Sequence, residues 1–393
     1  MLFRSALARA PDHAEAHYNR ANALLDLGRF EAAVAAYDAA LARAPGHVDA
    51  HANRGNALKE LGRLEAALAA YDTALALDPT RVGTHANRGN VLKELDRLDE
   101  AVAAFDAALA IAPDDVGARF NRAFTLLLAG RFAEGWPEYE WRWPSKTGPE
   151  GKPRHRDIPA WRGEPTTDGT IVLWCEQGLG DTIQFARYAA PVAALGWRVV
   201  LEVQRDLVAL LAPLASPRVS IVAMGDPLPP AEAQCPLLSL PARLGTRLDT
   251  IPPMPPLAVD PAAVAAWRER RSADGVSIGI VWQGNPAHGN DRNRSLRLDA
   301  FAPLARLANV RLVSLQKLHG LDQIAALPEG TTVETLGPAY DAGGFVDTAA
   351  VIAGLDLVIG VDTSVVHLAG AMGVPVWVLL PASPDWRWLT HRS

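Results

Sequence analysis

Two periodicities divide the chain. Over roughly residues 14–149, apolar and small positions return as helix, turn and helix with a constant step of 34 residues. Asn19-Arg20, Asn53-Arg54, Asn87-Arg88 and Asn121-Arg122 keep that step, as do Pro11, Pro45, Pro79 and Pro113, and Tyr37, Tyr71, Phe105 and Tyr139. Each proline predicts the stop of the second helix of a unit. Gly28, Gly62 and Gly130, with Asp96 in the third copy, mark the inner turn, a position that favours a left-handed residue. Ala33, Ala67 and Ala101 stand where paired helices must approach closely. Residues 1–13 fit the second helix of an earlier, incomplete unit.

From Thr170 the pattern switches to short continuous apolar runs. IVLWC (171–175), RVVLEV (198–203), VSIVA (219–223) and CPLLSL (235–240) form one set. SIGIVW (277–282), VRLVSL (310–315), LDLVIG (355–360) and PVWVLL (375–380) form a second, beyond the proline-rich stretch Ile251 to Pro261. Such runs separated by helices predict buried parallel strands, here as two Rossmann-like lobes facing one cleft. All 11 tryptophans lie at or after Trp136, and Pro144 to Pro165 reads as a linker. The expected domains are a superhelix over 1–143, a linker over 144–165, a first lobe over 166–260 and a second over 261–393.

The 34-residue pattern is similar to tetratricopeptide repeats, an α-solenoid with a concave inner face. In the fourth unit Gly135 replaces the small alanine and Trp136, Trp141 and Trp143 appear, as suits a capping repeat that seals the core against something new. Asn19, Asn53, Asn87 and Asn121, with Asn22, Asn56 and Asn90 three residues on, form a double row on the first helices. An amide that donates and accepts at once suits a peptide backbone in the groove; the competing expectation is that these amides bond neighbouring repeats to one another.

Composition narrows the function. A length of 393 residues accommodates two or three domains, and 49% hydrophobic with 21% charged residues is ordinary for a globular chain. A net charge of −6 provides no basic field for nucleic acid. Two cysteines, Cys175 and Cys235, make neither a disulfide framework nor a thiolate metal site. The start lacks a signal-peptide core and no run reaches ~18 apolar residues, so no transmembrane segment and a cytoplasmic location are expected.

Three segments could carry chemistry. Glu176-Gln177-Gly178-Leu179-Gly180-Asp181 follows the first strand and opens a helix, where glycines admit a ligand and the helix start favours negative charge; Asp181 is equally suited to cap that helix. Asp362-Thr363-Ser364-Val365-Val366-His367 holds the matching place in the second lobe, with hydroxyls and helix amides suited to a diphosphate, or with Asp362 or Thr363 as a cap and His367 packed inside. The loop from Gly284 to Arg297 bears Arg292, Arg294 and Arg297 at a strand's C-terminal end, where open α/β sheets bind ligands; taken alone it reads as a solvated loop.

GLGDTIQFARY and VDTSVVHLAGAMGVP together resemble the ADP-heptose-using heptosyltransferases of the inverting GT-B class. The resemblance implies Asp181 as general base, and a donor site comprising Gly178, Gly180, Gln283, Arg294, Asp362, Thr363, Ser364 and His367. Ser364 stands for the family's glycine, and the Trp-Pro that follows its basic residue is absent here. With the repeats, the layout is similar to protein O-linked N-acetylglucosamine transferases. It implies metal-independent transfer from a nucleotide-diphosphate sugar, a co-substrate, with no bound cofactor, to a protein or peptide acceptor recruited by the repeats. The alternative is an interaction scaffold with an inactive transferase-like domain. Because the chain stops at Ser393, without the family's closing helices, the second lobe is expected to be truncated or minimal.

Overall fold

The computed structural model describes residues 13–145, 154–257, 259–269, 275–287, 289–341 and 344–390; the partial unit expected at 1–13 lies almost wholly outside them. The chain forms two compact units, Met1–Gly148 with Ala382–Ser393, and Pro149–Pro381.

Among the described residues the first unit is an α-solenoid of four helix pairs: α1 (Ala14–Asp26) with α2 (Phe30–Leu41), α3 (Val48–Glu60) with α4 (Leu64–Leu77), α5 (Val82–Glu94) with α6 (Leu98–Ile111), and α7 (Val116–Leu128) with α8 (Phe132–Tyr139). The inner turns are left-handed at Gly28, Gly62 and Gly130, and at Asp96 with φ 58°. The repeated aromatic needs a neighbour without a side chain: a Cβ on Gly55 would stand 2.5 Å from the Tyr71 ring, and one on Gly89 2.8 Å from Phe105. Both residues of the Asn-Arg pair then act between repeats. Arg54, Arg88 and Arg122 each bond, through Nε, an aspartate of the preceding unit, Asp38, Asp72 and Asp106, at 2.6–2.7 Å.

The asparagines form a ladder rather than a free row. Tyr37 Oη donates to Asn22 Oδ1 at 2.6 Å, and Asn53 Nδ2 donates to the same oxygen at 3.1 Å. Tyr71 Oη and Asn87 Nδ2 repeat this on Asn56 Oδ1, at 2.8 and 3.0 Å. Asn56 also donates to Asn53 at 3.4 Å, and Asn19 to Glu15 at 3.1 Å. Phe105 brings no hydroxyl to Asn90, and there the ladder ends.

Residues assigned from sequence to the end of the second lobe belong instead to this unit. Trp386, 3% exposed, meets Trp136 edge to face at 5.0 Å and Tyr139 at 5.7 Å. The tryptophan-rich fourth repeat is thus sealed by the chain's own residues, because its aromatic face has no fifth repeat to pack on.

The second unit holds two four-stranded parallel sheets. The first, ordered β3-β2-β1-β4, is made of β1 (Thr170–Trp174), β2 (Arg198–Val203), β3 (Val219–Ala223) and β4 (Ala233–Pro236). The second, ordered β6-β5-β7-β8, is made of β5 (Val276–Val281), β6 (Val310–Ser314), β7 (Leu357–Val361) and β8 (Val376–Leu379). The run CPLLSL splits: Pro236, with no N–H to donate, ends the strand, and Leu237–Ser239 winds into a 3-10 turn. Helices α9 (Leu179–Phe185), α10 (Ala189–Ala194), α11 (Arg205–Leu211), α12 (Pro261–Glu269), α13 (Phe345–Ile352) and α14 (Ser364–Ala371) accompany the strands. Among the described residues no helix is long and apolar enough to cross a membrane.

The ladder makes a differential prediction. Asn56→Ala removes the acceptor of both the Tyr71 hydroxyl and the Asn87 amide, and should cost about 1–3 kcal/mol in urea unfolding. Asn90→Ala removes no such bond and should stay within about 0.5 kcal/mol. Equal losses for the two variants would contradict the ladder.

Candidate functional site

The site is built where strands end. In each sheet the first strand lies at the point where strand order reverses, the place where open α/β sheets bind ligands. After β1 the chain turns through Gly178, the N-cap of α9, and Asp181 Oδ2 accepts the Gly178 N–H at 3.0 Å. Asp181 is therefore not the N-cap weighed from sequence but the third residue of α9, whose carboxylate bonds back to the N-cap amide. Gln204, just past β2, braces the turn by donating to the Gln177 carbonyl at 2.8 Å.

Gly180 brings the two motifs together. A Cβ built on it would lie 2.7 Å from His367 Cδ2 and 3.3 Å from Ser364 Cα, so α9 meets the opening turn of α14 with no room for a side chain. Thr363 is the N-cap of α14, but its side chain makes no capping bond, and among the described residues its buried Oγ1 has no hydrogen-bond partner. His367 Nε2 lies 3.5 Å from Asp362 Oδ1.

Arg294 joins this group from the β5 loop. Its Nη1 donates to the Asp362 carbonyl at 3.1 Å and its Nε lies 3.4 Å from Asp291 Oδ1. Asp291 in turn accepts from Ser295 Oγ at 2.8 Å, and Ser295 Oγ accepts the Gly284 N–H at 3.0 Å. The loop is thus folded on itself around a guanidinium. Arg297 pairs with Asp299 at 3.1 Å and is largely exposed, as is Arg292. Gln283 is held by Gln316, which accepts its N–H at 3.0 Å and donates to its carbonyl at 2.9 Å, and by Gln323, which donates to its Oε1 at 3.1 Å.

Gly180, Arg294, Asp362, Thr363, Ser364 and His367 accordingly form one cluster, with Gly178 one turn of α9 away and Gln283 at the foot of the Arg294 loop. The asparagines lie in the repeat unit, where Asn22, Asn53, Asn56 and Asn87 are occupied by the ladder; among the described residues the side chains of Asn90 and Asn121 have no hydrogen-bond partner. No group of three His, Cys, Asp or Glu among the described residues could hold a metal ion.

A second polar cluster escaped the sequence motifs. Glu202, 3% exposed in the apolar strand β2, lies 2.8 Å from His155 Nε2 and 3.1 Å from Arg154 Nη2. Arg154 also donates to the Cys175 carbonyl at 2.6 Å, just past β1. Burial raises the Cys175 thiol above its usual range, against the nearby Arg154 cation. The available signal was a glutamate inside RVVLEV, since a buried carboxylate needs a partner.

Models of the tetratricopeptide repeat match residues 2–46, 18–82 and 82–115. The model of glycosyltransferase family 9 (heptosyltransferase) matches residues 308–388. Protein FlbA of Caulobacter vibrioides is 29% identical over 285 residues, which cover 66% of this chain and 47% of FlbA, so the chain spans about half the length of that relative. Among solved structures, MamA is similar over 35% of this chain and 81% of its own, with TM-score 0.35 and 18% identity. A tetratricopeptide repeat protein from Parabacteroides merdae is similar over 37% and 59%, with TM-score 0.35 and 22% identity. The chain carries tetratricopeptide repeats in its N-terminal part and a glycosyltransferase family 9 (heptosyltransferase) domain in its C-terminal part.

Proposed function

We propose that the second unit transfers a sugar, with inversion and without a metal, from a nucleotide-diphosphate donor to an acceptor hydroxyl. The observation that carries this is the convergence of Gly180 on Ser364 and His367, beside the Arg294 guanidinium bonded to the Asp362 carbonyl. A leaving nucleoside diphosphate must be stabilised as its bond to the anomeric carbon breaks. The opening amides of α14, the Thr363 hydroxyl and Arg294 are the donors placed for that charge, and a fixed guanidinium fork matches phosphate oxygens. The repeat unit recruits a protein or peptide acceptor, using the groove amides the ladder leaves over, those of Asn90 and Asn121.

Two outcomes test these halves separately. Arg294→Ala should weaken binding of the cognate nucleoside diphosphate by about 1.5–3 kcal/mol in calorimetry, equally with and without chelator; strict dependence on magnesium or manganese would contradict the mechanism. Asn90→Ala with Asn121→Ala should raise KM for a peptide acceptor while leaving the melting temperature unchanged. An unchanged KM would remove the repeats from acceptor binding.

A further inference from the structure

The asparagine ladder stops at the third repeat, and its open end differs chemically from the rest. Asn121 stands to Asn90 as Asn87 stands to Asn56, yet among the described residues neither side chain has a hydrogen-bond partner. In the fourth repeat the row's second asparagine is replaced by Phe124, half-buried on α7. Lys93 follows Asn90 by three residues and so shares its face of α5; its Nζ lies 4.9 Å from the centre of the Phe124 ring. That contact joins the two faces. Two unoccupied amides, an ammonium and an aromatic ring form one patch.

Lys93 lacks the partner that a desolvated cation needs. Burial is the largest influence on its ammonium and holds it below the usual range; Lys59 adds to this, while Glu94 and Asp385 oppose it. Among the described residues neither carboxylate forms an ion pair with it. Asp385 is instead bonded to Arg387 at 2.7 Å. One repeat earlier the equivalent Lys59 pairs with Glu60 at 3.2 Å, and the equivalent Asn56 and Asn87 are bonded to each other. The patch is therefore confined to the junction of the third and fourth repeats.

We propose that this patch binds an extended peptide segment carrying an aspartate or glutamate two residues from an apolar or aromatic one; this rests on the acceptor recruitment assigned above to the repeats and names the class of peptide recruited. Asn90 and Asn121 bond the peptide backbone, whose amides both donate and accept. The acidic side chain pairs with the Lys93 ammonium in a charge-assisted bond, and the apolar one packs on Phe124. Side chains two residues apart lie on one side of an extended peptide, roughly 7 Å from each other. One therefore meets the ammonium while the other covers the ring beside it.

The test uses the full chain and labelled Gly-Ser peptides with a central Asp-Ala-Phe, Glu-Ala-Phe, Asn-Ala-Phe or Asp-Ala-Ser, read by fluorescence anisotropy. The two acidic Phe peptides should bind about tenfold tighter than Asn-Ala-Phe, and added salt should narrow that difference. Lys93→Met, which keeps the apolar stem on Phe124, should erase the preference, whereas Lys93→Arg and Lys59→Met should retain it. Phe124→Asn should bring Asp-Ala-Phe down to the affinity of Asp-Ala-Ser. Should Lys93→Met misfold, Lys93→Gln must show the same loss of preference. A preference that survives in Lys93→Met, or that Lys59→Met removes equally, would overturn the proposal. Equal binding of the Asp and Asn peptides by the unmodified chain would overturn it and leave the repeats as peptide binders. Absence of binding by all four peptides would also overturn it, and an unchanged acceptor KM in the Asn90→Ala, Asn121→Ala variant would take the recruitment reading with it.

Discussion

The contact on which the second unit depends is the one at Gly180, where the first turn of α9 meets Ser364 and His367 of α14 with no side chain between them. Each lobe supplies residues to the candidate site. β1 delivers the glycine turn, β7 delivers Asp362 and Thr363, and β5 delivers Arg294, whose guanidinium reaches the Asp362 carbonyl. A methyl group at position 180 would have to displace a backbone atom at 3.3 Å as well as an imidazole, so the glycine there is set by the approach itself rather than by turn geometry.

The repeat unit is held by a different kind of contact. Each repeat bonds only to its neighbours, through asparagine amides, tyrosine hydroxyls and arginine–aspartate pairs that recur with the repeat. The ion pairs are solvent-accessible and individually weak; the amide–hydroxyl bonds are part-buried and costlier to lose. At the last repeat the periodic solution fails for want of a next neighbour. Trp136 and Tyr139 are covered instead by Trp386, a residue from the far end of the sequence.

Periodicity made most of this architecture legible. A fixed step of 34 residues specifies the helix pairs and even the left-handed Asp96, and continuous apolar runs locate all eight strands, with CPLLSL displaced because Pro236 ends the ladder early. Local motifs likewise brought out the residues around Gly180 and Thr363, since glycine turns and helix starts are written in adjacent residues. What stayed hidden are pairings between distant positions. Sequence spacing put Asn22, Asn53 and Asn56 on one face but could not decide between a peptide and one another, because the deciding Tyr37 and Tyr71 hydroxyls come from the second helix of each pair. His155 and Glu202 are 47 residues apart with no motif between them. The docking of Trp386 on the repeats has no local signature at all.

The central claim is that a nucleoside diphosphate is bound where the two lobes meet at Gly180. Thermal unfolding of the full chain with ADP, GDP and UDP, compared with Gly180→Val, measures it most directly. A cognate nucleotide at about 100 times its dissociation constant should add ~2.7 kcal/mol to the unmodified chain, and the added side chain should abolish that gain while the repeats unfold as before. A gain of equal size in Gly180→Val, or none with any of the three nucleotides, would contradict the account.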